Sequence, residues 1–229
     1  MDDMALIIKE IKKCYKNQYV LKGINMSFEK GKIYGIIGPN GVGKTTLIRI
    51  IAGLSNAESG KIIYEGKEKT DNRKIGYIIE SPYLIESLNA KDNMRLYAML
   101  NGINDNSRID DLLSWIGLKD ANNKLVKDYS LGMKQRLGIA CTLIKNPDII
   151  FLDEPMNGMD PEGVFTLRSQ LLQLAHDDNK TIVVTSHILS EMSKLCDKYY
   201  FIKDGLVIKE IDDNVDNLEE LYMELIVGK

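Results

Sequence analysis

Residues 38–45 read GPNGVGKT, and no other stretch restricts the fold so strongly. The octet fits G-x-x-x-x-G-K-[ST]. It lies between the apolar run IYGII and a segment, Lys44 to Ala52, with Leu47, Ile50 and Ile51 on one helical face. A strand that enters a glycine loop and leaves as a helix aims several backbone N–H groups at one point, where the helix dipole also favours an anion. Gly41 and Gly43 let the loop fold without Cβ clashes. Gly38 and Asn40 complete the loop, and Lys44 supplies a point charge for β- and γ-phosphates. The Thr45 hydroxyl suits Mg²⁺, and Thr46 reaches an α-phosphate.

The chain around this loop alternates between strand and helix patterns. Residues 5–14, 22–29, 32–38, 61–66 and 74–80 read as strands, and Asn89 to Ile144 turns helical. Ser107 with Asp110 fits an N-terminal cap there, and the Asn/Asp-rich 101–106 fits a linker. The α/β pattern resumes at 148–155 and 181–186, followed by a short helix, a hairpin within 199–211 and a C-terminal helix. The expected class is α/β, with a P-loop core and a helical insertion.

Composition excludes some classes. With 30 Lys and Arg against 33 Asp and Glu, the net charge of −3 offers no basic face, so nucleic acid is not an expected partner. No apolar run reaches the roughly 18–20 residues that span a bilayer. The acidic start is no signal peptide, and three scattered cysteines suit a reducing compartment, so a cytoplasmic protein is expected.

Two further strands end in chemistry. IIFLDEP at 149–155 delivers Asp153 and Glu154 to the phosphate edge of a parallel sheet, Asp153 for Mg²⁺ and Glu154 to orient and deprotonate an attacking water. TIVVTSH brings His187 to the same edge, within reach of a γ-phosphate and that water. A second anion site, Ser130 with Gly132 at the mouth of another helix, has no evident phosphate of its own.

GPNGVGKTT, SLGMKQR, IIFLDEPMNGMDP and TSH, in this order, resemble the ATP-binding subunit of an ABC transporter over nearly the whole chain. The resemblance implies an ABC-type P-loop fold with an N-terminal antiparallel β subdomain and an inserted α-helical subdomain. It implies one domain over 1–229, with residues 1–84 and 146–229 as core and 85–145 as helical subdomain. Tyr15 becomes the adenine-stacking aromatic, with Val20 beside it. Two cassettes pair head to tail, identical or sibling, so that Ser130 and Gly132 serve the partner's γ-phosphate and Asp160 crosses the seam. ATP closes this dimer and hydrolysis reopens it. A separate transmembrane permease, docked on the loop after Glu80 and on the helical insertion, would hold the protein indirectly at the cytoplasmic face of the membrane.

Two positions depart from the family pattern. The signature LSGGQ reads YSLGM, with Leu131 for a glycine and Met133 for the glutamine. Glu80 stands where most members have a Mg²⁺-ligating glutamine; a carboxylate can still ligate, but it adds negative charge. Both departures resemble the bacitracin- and lantibiotic-resistance exporters. The alternative is a non-transport ATPase of the superfamily acting on a soluble macromolecular partner.

Overall fold

In the computed structural model, which describes residues 4–68, 74–212 and 217–228, the chain first builds an antiparallel sheet. Strands β1 (Met4–Tyr15) and β2 (Gln18–Glu29) form a hairpin. Lys16 and Asn17, both at positive φ, make its two-residue turn, whose twist matches that of paired strands. The sheet order is β2-β1-β4-β5, with β4 at Ser59–Tyr64 and β5 at Lys67–Glu68. Ala5, Leu6, Ile8 and Ile11 on β1 are buried with Leu21, Ile24, Met26 and Phe28 on β2.

The second sheet runs β10-β9-β3-β8-β7-β6. Its strands are β3 (Ile33–Ile37), β6 (Ile75–Ile78), β7 (Ile149–Asp153), β8 (Thr181–Thr185), β9 (Lys198–Lys203) and β10 (Leu206–Asp212). All pairs are parallel except β9 with β10. Every residue of β3, β7 and β8 is buried, which explains their unbroken apolar runs. An aromatic cluster joins the two sheets: Phe28 meets Tyr34, Phe151 and Tyr200 edge-on, with centroids 5.0, 5.9 and 5.8 Å apart. Such pairs contribute about 0.5–1.5 kcal/mol each beyond area burial.

Between β6 and β7 the chain forms α2 (Ala90–Leu100), α3 (Asn106–Trp115) and α4 (Leu131–Leu143); α1 (Lys44–Ile51) follows β3. Met94, Ile109, Leu113, Leu137 and Cys141 give these helices their own core. The cap of α3 differs from the Ser107–Asp110 expectation. Asp105, whose backbone is extended, accepts the Arg108 N–H at 3.0 Å, while Ser107 donates to Asp105 and Asp110 pairs with Lys91. Residues 101–105 of the expected linker make the turn between α2 and α3, and Asn106 already opens α3.

Helix α4 is seated by close approach. A Cβ on Gly138 would lie 2.2 Å from Pro82 Cβ, and one on Gly76 would lie 2.4 Å from Thr142 Cγ2. The helical region is also tied to α5 (Pro161–Leu172) and the turn after it. Trp115 Nε1 donates to Gln173 Oε1, and Gln170 Nε2 donates to the Trp115 carbonyl, both at 2.9 Å. The last helices, α6 (Leu189–Met192) and α7 (Leu218–Tyr222), pack on the core through Met192 and Leu218. Among the described residues no helix is long and apolar enough to cross a membrane.

Candidate active site

Strand register brings the chemistry together. Ile36 of β3 and Asp153 of β7 both pair with Thr185, so the ends of three neighbouring parallel strands share one edge. The loop after β3 takes φ of +79° at Gly41 and +110° at Gly43, values that strain any residue with a Cβ. A Cβ on Gly38 would sit 2.5 Å from the Ile202 carbonyl oxygen of β9, so the loop's first glycine is dictated by a strand some 160 residues later.

A cleft of about 380 Å³ opens above this edge. It is lined by Asn40, Gly41, Gly43, Lys44, Thr45 and Thr46 from the loop and α1, by Asp153, Glu154 and Asn157 after β7, and by Glu80 after β6. Lys44 is buried and donates to the Gly38 carbonyl at 2.6 Å. Burial pushes its ammonium pKa down, against the pull of Glu154 and Asp153.

Asp153 is only 3% exposed and fully engaged. Thr45 Oγ1 donates to one carboxylate oxygen at 2.6 Å and Thr185 Oγ1 to the other at 2.5 Å. The Thr185 hydroxyl also accepts the Glu154 N–H at 3.0 Å, so one side chain sets both acids. Glu154, at φ +52°, turns its carboxylate to His187, whose Nδ1 lies 2.8 Å from Oε2. Glu80, at φ +63°, reaches back to Arg49, with Nη2 to Oε1 at 3.0 Å.

Other candidate residues lie outside this cleft. Val20 lines an adjoining one with Gln18, Tyr19, Asn40 and Gly41. Tyr15 lines neither; its half-exposed ring lies under the Lys13 ammonium, 5.2 Å from the centroid. Ser130 caps α4, accepting the Met133 N–H at 3.2 Å, and Asp160 caps α5 through the Gly163 N–H at 2.9 Å. Gly132 packs beside Met159, and Leu131 lies against Gly158. His176 is exposed, with Nε2 3.2 Å from an Asp197 carboxylate oxygen.

Three residues were missed by sequence reasoning: Thr185, Arg49 and Asn157. The position of Arg49 four residues after Thr45 was the one available signal, since i and i+4 share a helix face.

The model of the ABC transporter family matches residues 21–157. The lantibiotic transport ATP-binding protein SrtF of Streptococcus pyogenes is 45% identical over 225 residues, 97% of each chain. This chain belongs to the ABC transporter ATP-binding family. It is an ATP-binding subunit of an ABC transporter, an ATPase. The bacitracin transport ATP-binding protein BcrA of Bacillus licheniformis is 40% identical, over 96% of this chain and 75% of its own. Among solved structures, a dimeric post-hydrolysis state of the ATP-binding cassette MJ0796 bound to ADP and Pi superposes with a TM-score of 0.82 at 27% identity. That match covers 92% of this cassette and 99% of the other.

Proposed function

We propose that this ABC cassette powers export of an antimicrobial peptide or similar amphiphile through a separate membrane permease, and that it hydrolyses Mg²⁺-ATP as a head-to-tail dimer. One observation carries the reading: Glu154, held by His187, stands beside the Thr45–Asp153–Thr185 network in an open phosphate cleft. The relatives named for lantibiotic and bacitracin transport favour such a cargo. In this proposal one cassette spans 1–229, with its core at 1–84 and 146–229 and the helical subdomain at 85–145.

The chemistry follows from the donors. Asp153 and the Thr45 hydroxyl offer hard oxygens in a buried setting, and Glu80 adds a carboxylate at the cleft, a set that suits Mg²⁺. Bound there, the cation would offset phosphate charge. Lys44 turns from the Gly38 carbonyl to the β- and γ-phosphates of ATP, and the loop N–H groups hold the chain in line. Glu154 takes a proton from water as its oxygen attacks the γ-phosphorus and the bond to ADP breaks. Since His187 Nδ1 faces Glu154, its other ring nitrogen serves the γ-phosphate.

In this reading Ser130 and Gly132 meet the γ-phosphate of the partner cassette, Asp160 lies at the seam, and Tyr15 with Val20 borders the base. The permease docks at the groove of Tyr83, Tyr97 and Leu54 between the segment after β6 and α4, which anchors the cassette at the cytoplasmic membrane face. Solution mass tests the core of it. Glu154→Gln is expected to dimerise with ATP, and a second change, Ser130→Arg, to abolish the dimer. A monomer that binds ATP in both would refute the homodimeric motor.

A further inference from the structure

Glu80 brings a third carboxylate to a cleft that already holds Asp153 and Glu154 and must accept a polyphosphate. Lys44 is the one cation lining that cleft among the described residues. An uncompensated carboxylate at this mouth would repel ATP, whereas the glutamine usual in the family would not.

The fold supplies a counter-charge outside the cleft lining. Arg49 lies one helical turn after Thr45 on α1, so the face that sends the Thr45 hydroxyl to Asp153 also sends a guanidinium toward the segment after β6. Its Nη2 donates to Glu80 Oε1 at 3.0 Å. The Ser81 N–H donates to the Ile79 carbonyl at 2.8 Å, and this tight turn sets Glu80 at φ +63°. Both side chains are well exposed, 48% and 70%, so the pair adds little to stability. What it changes is where the Glu80 charge sits and how much of it an incoming nucleotide meets.

We propose that Arg49 is a positioning residue for Glu80. It draws the carboxylate aside and balances its charge until Mg²⁺-ATP arrives, and it thereby permits a glutamate where the family has glutamine. The inference rests on the nucleotide reading of the cleft. It predicts a specific coupling: Arg49 matters to nucleotide binding only while residue 80 is charged.

The test is a double-mutant cycle read by the affinity of fluorescent mant-ATP, with EDTA and with Mg²⁺, on wild type, Arg49→Gln, Glu80→Gln and the double variant. Arg49→Gln is expected to weaken Mg²⁺-free binding about three- to tenfold, as one unbalanced charge near a polyphosphate implies in a partly aqueous cleft. Added Mg²⁺ should recover most of that loss. In the Glu80→Gln background, removal of Arg49 should cost nothing further, and Arg49→Lys should restore part of the affinity. Circular dichroism establishes that each variant is folded.

An equal loss in both backgrounds would overturn the proposal, since Arg49 would then act on the nucleotide or the fold directly. No loss in either background would overturn it too. If wild type itself fails to bind mant-ATP, the nucleotide reading falls and the Arg49 assignment with it, which separates the two failures.

Discussion

Replacing Thr185 with valine keeps the shape of a fully buried side chain and removes one hydroxyl. That hydroxyl gives Asp153 Oδ1 its 2.5 Å bond and accepts the Glu154 N–H at 3.0 Å. The N–H retains a second acceptor, the Thr185 carbonyl at 3.1 Å, so the main loss is a hydrogen bond to a buried carboxylate. Such bonds contribute about 1.5–3 kcal/mol. In a chain of this size that corresponds to a fall in Tm of roughly 3–12 °C. Thr185→Ser keeps the hydroxyl and removes a methyl group, about 1 kcal/mol. Thermal unfolding of the nucleotide-free protein should therefore rank wild type above serine and serine above valine, and ATP hydrolysis should follow the same order. A valine variant as stable as wild type, or a serine variant below it, would show that the hydroxyl does not hold the two acids.

Three other outcomes are expected. Gly138→Val drives a side chain into Pro82 and should destabilise by an overpacking cost of about 1–3 kcal/mol, read as a lower urea midpoint; an unchanged midpoint would mean that α4 has room to shift. Tyr15→Ala should weaken ATP binding about fivefold or more, as base stacking implies, while sparing tripolyphosphate; a larger loss from Tyr19→Ala would move the base platform to the residue that lines the adjoining cleft. Hydrogen bonds from Lys198, then Lys32, hold the Glu29 carboxyl below its usual pKa of 4.5. Its contribution to stability is complete above that value and lost as pH falls through the lower folded value. In an acid titration of Tm, Lys198→Met should show a smaller loss that is complete at a higher pH than in wild type, and coincident curves would refute the assignment.

Much of the cleft was legible because its residues are local in sequence. Gly41, Gly43, Lys44 and Thr45 are determined by one strand, one loop and one helix start, and Asp153 with Glu154 by the end of an apolar strand. Thr185 was not legible, because its meeting with Asp153 depends on the register between β7 and β8, which no periodicity states. The misread cap of α3 has a different cause. Ser107–Asp110 and Asp105–Arg108 both fit a three-residue spacing, and the residue with extended backbone, Asp105 at φ −127°, wins. Gly76 and Gly138 were legible in principle, since a glycine inside a strand or helix often marks close backbone approach.

Among the described residues strand β3, which carries the phosphate loop, pairs with β8 and β9, and Gly38 fits beneath Ile202. The β1–β2 hairpin can close as soon as it leaves the ribosome, because its partners are adjacent in the chain. The phosphate loop meets its β9 neighbour only after residue 203 has been made. Nascent chains halted before residue 181 should therefore ignore ATP, and capture should begin only once β9 emerges. On this expectation a growing cassette holds nucleotide only after Asp153, Glu154 and His187 have been made, because all three precede β9 in the chain.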